Sequence, residues 1–221
     1  MHIEDALRVV LNQEDDVKAR SCRTGAAAIA GLIVKDRAAI SDGNKHTSGI
    51  SSAASSVINR LKLQRASMRK RGARKRTTED GVKVDKCFDV GHECVASCPA
   101  EAKAMKRVLS KANLKVVKSQ PSFVSPSYGY VAVCDLLCTD PVYDAVLVEC
   151  KVGHSSEIAL LTAKMQCALQ SIAMRDAASS AKAPRGLVLR VTSPTSRAVL
   201  HEVTDRDVVE AEMFLKTPKG I

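Results

Sequence analysis

Tryptophan is missing from this chain, and three tyrosines and three phenylalanines supply all its aromatic content, 3% of 221 residues. A core must therefore be filled by Val, Leu, Ile and Ala, and an apolar share of 45% suffices for that. Long hydrophobic runs are lacking too. The longest near the N-terminus, Ala26 to Val34, falls well short of the ~20 residues a membrane-spanning helix needs. A secretory or mitochondrial presequence is not expected, because Glu4, Asp5, Glu14, Asp15 and Asp16 crowd the start of the chain. Negative charge is in short supply overall. Lys and Arg number 34 against 24 Asp and Glu, a net charge of +10, which favours an anionic partner such as nucleic acid or an acidic membrane surface. Cysteine is not scarce: there are eight, and without a signal segment they read as reduced thiols in an intracellular compartment.

Composition divides the chain into three expected regions. Residues 1–56 form a helical extension and a Ser/Gly-rich linker, with Ile3, Leu7, Val10 and Leu11 on one face of a first helix, Ala26 to Val34 in a second, and Ser41 to Ser56 as loop. Residues 57–86 form a basic, solvated and mobile segment. Arg60 to Arg76 holds nine basic residues and no acid, so it cannot pack. It reads as a charged surface segment, as a nuclear import signal at 70–76, or as an arm in which Arg69, Lys70, Arg71, Arg74, Lys75 and Arg76 bind phosphates by counterion release.

From residue 87 onward the pattern is that of an ordered α/β domain. Helical spacing predicts a helix from Pro99 to Ala112, and apolar runs predict strands at Leu114 to Lys118, Tyr130 to Thr139 and Tyr143 to Val152. A long helix follows from Ser155 to Ala178, with Ile158, Leu161, Met165, Ala168, Leu169 and Ile172 on its apolar face. Strands at Leu187 to Val191 and Ala198 to Val203 and a helix from Asp205 to Lys216 complete the order.

Charges stand inside two of these apolar strands, where they cost free energy unless paired or bound to a cation. Asp135 falls in the middle of Val131 to Leu137, and Glu149 and Lys151 end Ala145 to Val152. Side chains alternate along a strand, so Glu149 and Lys151 share a face. A hairpin folded about Val142 sets Asp135 opposite Glu149 on that face, with Cβ atoms about 5 Å apart. Two carboxylates so placed repel each other, and a divalent cation with oxygen ligands reverses the sign.

These residues resemble the motif of the PD-(D/E)xK nuclease superfamily, an acid on one strand followed by (D/E)-x-K on the next. Here it is Val-Cys-Asp135, thirteen intervening residues, then Glu149-Cys-Lys151, and the resemblance covers roughly residues 88–204. It implies a restriction-endonuclease-like αβββαβ core, a mixed central sheet flanked by helices. Within the superfamily the chain is most similar to the branch of RecB and lambda exonuclease, in which a Gln-x-x-x-Tyr motif lies on the following helix. Here that helix reads Gln166-Cys-Ala-Leu-Gln170, with glutamine in the place of tyrosine, and Cys134 replaces the proline of the name motif.

The resemblance implies phosphodiester hydrolysis, with Mg²⁺ or Mn²⁺ held by Asp135, Glu149 and the Cys150 carbonyl, and with Lys151 and Gln166 assisting. It also implies a further acid or histidine upstream. Glu101 or His92 fits that place, although Glu101 equally suits the first turn of a helix as a dipole partner. The expected partner is nucleic acid, DNA in preference to RNA, with Lys106 and Arg107 in a second basic stretch that could follow its backbone. Cys87, His92, Cys94 and Cys98 make a loose match to zinc spacing, and buried free thiols are the default for the other cysteines.

Overall fold

In the computed structural model the described residues are 1–19, 26–41, 100–142, 144–152, 156–192 and 197–216. The basic segment, His92 and the Cys87–Cys98 cluster fall outside them. Among the described residues no helix is long and apolar enough to cross a membrane.

Two helices open the chain, α1 (Ile3–Ala19) and α2 (Ala26–Ser41), and a third, α3 (Ala100–Lys111), precedes the first strand. The strands β1 (Lys115–Ser119), β2 (Ser122–Val124), β3 (Val131–Val133), β4 (Leu136–Thr139) and β5 (Ala145–Val152) come next. Helix α4 (Glu157–Ala177), strands β6 (Arg185–Thr192) and β7 (Arg197–Val203) and helix α5 (Asp205–Lys216) complete the fold. It is an α/β fold with a mixed sheet in the order β1-β4-β5-β6-β7, in which only β5 and β6 run parallel.

Alternation divides the sheet into two cores. On one face Leu136, Cys138, Val146, Val148, Leu187, Leu189 and Val191 meet Ala102, Met105 and Leu109 of α3. On the other, Leu137, Ala145, Leu147 and Val188 meet α4. That second core also takes in Ala6, Val9 and Val10 of α1 and Ile29, Ala30, Ile33 and Val34 of α2. The N-terminal helices are thus built into the body of the fold, where an appended extension was expected. The carbonyl of Met1 even accepts from the backbone N–H of Ala145 at 2.9 Å, at the start of β5. Leu11 is 64% exposed, because the buried stripe of α1 runs through Ala6, Val9 and Val10.

Helix α4 is the centre of the molecule. Ala163, Met165 and the unbroken run Cys167 to Met174 are buried, so it is covered on nearly every side rather than on one apolar face. Ile158, expected on that face, lies in the first turn beyond the cover and is 65% exposed. The hydroxyl of Ser156 caps the helix by accepting from Ala159 N–H at 3.2 Å. Gly186 on β6 permits the close approach: a Cβ there would meet Cys167 Sγ at 3.0 Å.

The strand expected over Tyr130 to Thr139 is broken. Ser119 pairs with Leu136 and Ser122 with Val133, so β1–β2 and β3–β4 form one long ribbon creased between those pairs. The crease has a local cause. Gln120 takes a left-handed backbone with φ of 46°, and Pro121 has no N–H for a ladder. Gln120 N–H donates to the Asp135 carbonyl at 2.8 Å and Cys134 N–H to the Pro121 carbonyl at 3.0 Å, which fixes the bend. It swings β2 and β3 off the main sheet and over α4, where Phe123, Tyr130 and Ala132 join the second core. Cys134 and Cys138, which an unbroken strand would set on one face, end up in different cores on either side of the crease.

Candidate active site

Asp135 stands at this crease, not within a continuous strand. Strands β4 and β5 pair as Leu136 with Val148 and Leu137 with Leu147, the register of a hairpin folded about Val142. One step further along that register lie Asp135 and Glu149, but β4 has already left the sheet. The side chain takes over where the strand stops: Cys150 N–H donates to Asp135 Oδ2 at 2.6 Å. A main-chain donor that would otherwise face a vacated edge is thereby satisfied.

Glu149 follows Val148 and so points to the α4 face, where it is buried. Lys151, two residues on, shares the face and donates from Nζ to Glu149 Oε1. Its second partner is Gln166 Oε1 at 3.5 Å, from α4. The other carboxylate oxygen, Glu149 Oε2, accepts from Gln170 Nε2 at 2.8 Å, and the same nitrogen donates to the Val133 carbonyl at 2.7 Å. Both partners are acceptors, so the amide has one sensible orientation, with its NH₂ toward them. Gln170 Oε1 is then left buried with no hydrogen-bond partner among the described residues.

The electrostatics follow from this crowding. Burial, and after it the charge of Asp135, pushes Glu149 up to about 7 against the pull of Lys151. Burial raises Asp135 as well, opposed by the Cys150 N–H and by Lys151. For Lys151 burial acts downward, but Glu149 and Asp135 outweigh it and hold the ammonium protonated. Cys134 and Cys167 are buried nearby, and burial pushes both thiols up so that they stay neutral.

The expected upstream acid is not part of this cluster. Glu101 occupies the first turn of α3, which packs on the opposite face of the sheet, so the sheet itself separates it from Glu149. Among the described residues no group of three or more His, Cys, Asp and Glu side chains is gathered to hold a metal. The donors that do converge are two carboxylates, an all-oxygen pair of the kind that suits Mg²⁺ or Mn²⁺. Burial first and the charge of Asp135 second lift Glu149, and both act against a charged pair. Lys106 and Arg107 are exposed on α3, again on the far face from the carboxylates. Sequence reasoning missed the contact of Gln170 with Glu149. The available signal was a second polar residue one turn after Gln166 in an apolar helix.

No family model matches the chain, and no curated protein matches it. Among solved structures, the chain is similar to one titled "Crystal structure of SSO0001", with 14% of residues identical and a TM-score of 0.30. That match covers 54% of this chain and 59% of the other.

Proposed function

We propose that the protein is a metal-dependent phosphodiester hydrolase acting on nucleic acid, with Asp135, Glu149 and Lys151 as its working residues. The observation that carries this reading is the meeting of the buried carboxylate of Glu149, near the end of β5, with the half-buried carboxylate of Asp135, just before β4, and a lysine on the same face as Glu149. The succession of α3, the sheet strands β1, β4 and β5, helix α4 and strand β6 agrees with the αβββαβ order that the resemblance to PD-(D/E)xK nucleases implies.

Asp135 and Glu149 would hold Mg²⁺ or Mn²⁺, with the Cys150 carbonyl as a further oxygen donor. When bound, such an ion lowers the pKa of a coordinated water and neutralises charge on phosphate oxygens. Lys151, its side chain 39% exposed, can leave Glu149 for a phosphate oxygen and stabilise the negative charge that develops there. Gln166 steadies the ammonium from the helix side. Gln170 fixes one carboxylate oxygen of Glu149, and the other, which accepts from Lys151, is the oxygen that would meet the ion.

A second reading, a nucleic-acid-binding module that keeps such a fold without the chemistry, draws support from the Lys151–Glu149 pair, which partly neutralises the site without metal. One assay separates the two. Labelled single- and double-stranded DNA is incubated with Mg²⁺, Mn²⁺ or EDTA, and circular DNA is added to distinguish attack at ends from attack at interior bonds. Cleavage is expected with either metal and not with EDTA. Glu149→Ala is expected to abolish it while leaving the circular dichroism spectrum native. A mutant that cleaves at the wild-type rate removes Glu149 from the mechanism.

A further inference from the structure

The face of the sheet that carries Glu149 and Lys151 continues across β6 and β7. The register sets up two rows of neighbours there: Glu149, Val188 and His201, then Lys151, Arg190 and Val199. Their common orientation is fixed by the residues between them, since Leu189, Val191, Ala198 and Leu200 pack against the α3 side. Val188 and Val203 belong to the α4 side, and Arg190 and His201 follow the same alternation. Adjacent strands lie about 4.8 Å apart, so Arg190 sits one strand and His201 two strands from the carboxylate-bearing strand.

Lys164 of α4 joins this group. Its charge, with that of Arg190, is felt at His201, whose pKa burial lowers first and these two cations lower further. Two cations, Arg190 and Lys164, thus lie near His201 on the face of Lys151, and the imidazole stays neutral among them as a hydrogen-bond donor. Lys164 Nζ stands 4.0 Å from Asp207 Oδ2, but that oxygen already accepts from Thr204 N at 2.9 Å and Thr204 Oγ1 at 2.8 Å. Lys151 and Arg190 are like charges side by side on β5 and β6, and an anion laid across them relieves their repulsion. The row is open to such a ligand, because the Lys151 side chain and Val199 at its two ends are each 39% exposed.

We propose that Arg190, His201 and Lys164 form a phosphate-binding subsite that holds a phosphate of the nucleic acid beside the scissile one. The identity of the ligand rests on the hydrolase reading above. The subsite gives the substrate a direction across the sheet, from the carboxylates at β5 toward β7.

The test follows binding of a labelled single-stranded oligonucleotide by fluorescence anisotropy in EDTA over a range of salt concentration, so that no cleavage is needed. Arg190→Gln is expected to weaken binding and to make the salt dependence shallower, by about 0.7 in log–log slope for each phosphate no longer neutralised. Val199→Glu, a change at an open position, is expected to weaken binding by setting an anion in the row. Oligonucleotides with a 5′-phosphate and a 5′-hydroxyl are compared. Equal weakening for both places an internal phosphate in the subsite, and weakening confined to the phosphorylated strand places the terminal one there. Unchanged affinity and slope in both variants, with native circular dichroism, overturn the proposal. Glu149→Ala is expected to keep the Arg190 effect. The hydrolase reading fails separately, as a wild-type protein that binds through Arg190 yet cleaves nothing with Mn²⁺.

Discussion

Glu149 carries its proton into the neutral range because burial and Asp135 both oppose its charge, which sets its pKa at about 7. A carboxyl raised above its ordinary value of 4.5 favours the folded state only while protonated. Its contribution is complete below 4.5 and is lost as pH rises through about 7. Metal-free protein is therefore expected to lose thermal stability from this group over that window. On the metal-dependent reading proposed above, a cation would take the proton's place, so stabilisation by Mn²⁺ is expected to grow with pH across the same window. Melting curves in EDTA and in Mn²⁺ at successive pH values check this, and a metal-induced shift that ignores pH contradicts it. The role of Gln170 is steric and polar rather than titrational. Gln170→Leu leaves Glu149 Oε2 and the Val133 carbonyl without their donor, at an expected cost of about 1–3 kcal/mol in urea denaturation. The carboxylates and the lysine were legible in the sequence because charge is conspicuous in an apolar strand. Gln170 was not, because an uncharged amide on a helix declares no partner.

At the scale of elements, the creased ribbon decides where Asp135 goes, and three side chains, Tyr130, Gln170 and Asp176, tie its outer half to α4. Tyr130 Oη donates to the Leu169 carbonyl at 2.5 Å, Gln170 holds Val133, and Asp176 grips the turn between β2 and β3. That grip is threefold: Ser125 Oγ at 2.5 Å, Ser127 N at 2.9 Å and Ser127 Oγ at 2.6 Å all donate to Asp176. Burial acts upward on Asp176, but these donors prevail and hold its carboxyl below the ordinary value of 3.8. Its contribution to stability is thus present above that value and lost as pH falls through the lowered one. Asp176→Ala is expected to cost about 1–2 kcal/mol near neutral pH, with the difference from wild type vanishing in acid. On the hydrolase reading proposed above, loosening of the ribbon is also expected to lower the cleavage rate, since Asp135 lies at its hinge. Thermal melts at two pH values and a turnover assay read both effects. The elements from Ala145 to Lys216 were legible to within a few residues, because their apolar periodicity is regular. Ser122–Val124 and the break at Cys134–Asp135 were hidden: the run Val131 to Leu137 is apolar throughout but for Asp135, and the signal for its break lies across the ribbon at Gln120–Pro121.

At the scale of the whole molecule, α1 and α2 complete the core around α4. Residues such as Val10, Ile29 and Ile33 are buried against it and beside β2 and β3. A chain beginning at residue 87 would strip that cover from α4 and expose a continuous apolar surface. It is expected to lack a cooperative urea transition and to bind a hydrophobic dye, whereas the full chain is expected to unfold in one step. A sharp transition in the shortened chain refutes the shared core.

The sequence by itself determined most of the element types, the two apolar runs and the charged residues embedded in them, because propensity, alternation and the cost of buried charge are local matters. Tertiary structure alone decided that Glu101 lies across the sheet from Glu149 and that the first two helices belong to the core. It also brought Gln170, Arg190, His201 and Lys164 to the face of the carboxylates. Those are facts about which strand neighbours which and which helix covers which face, and long-range packing fixes them where no local pattern reaches.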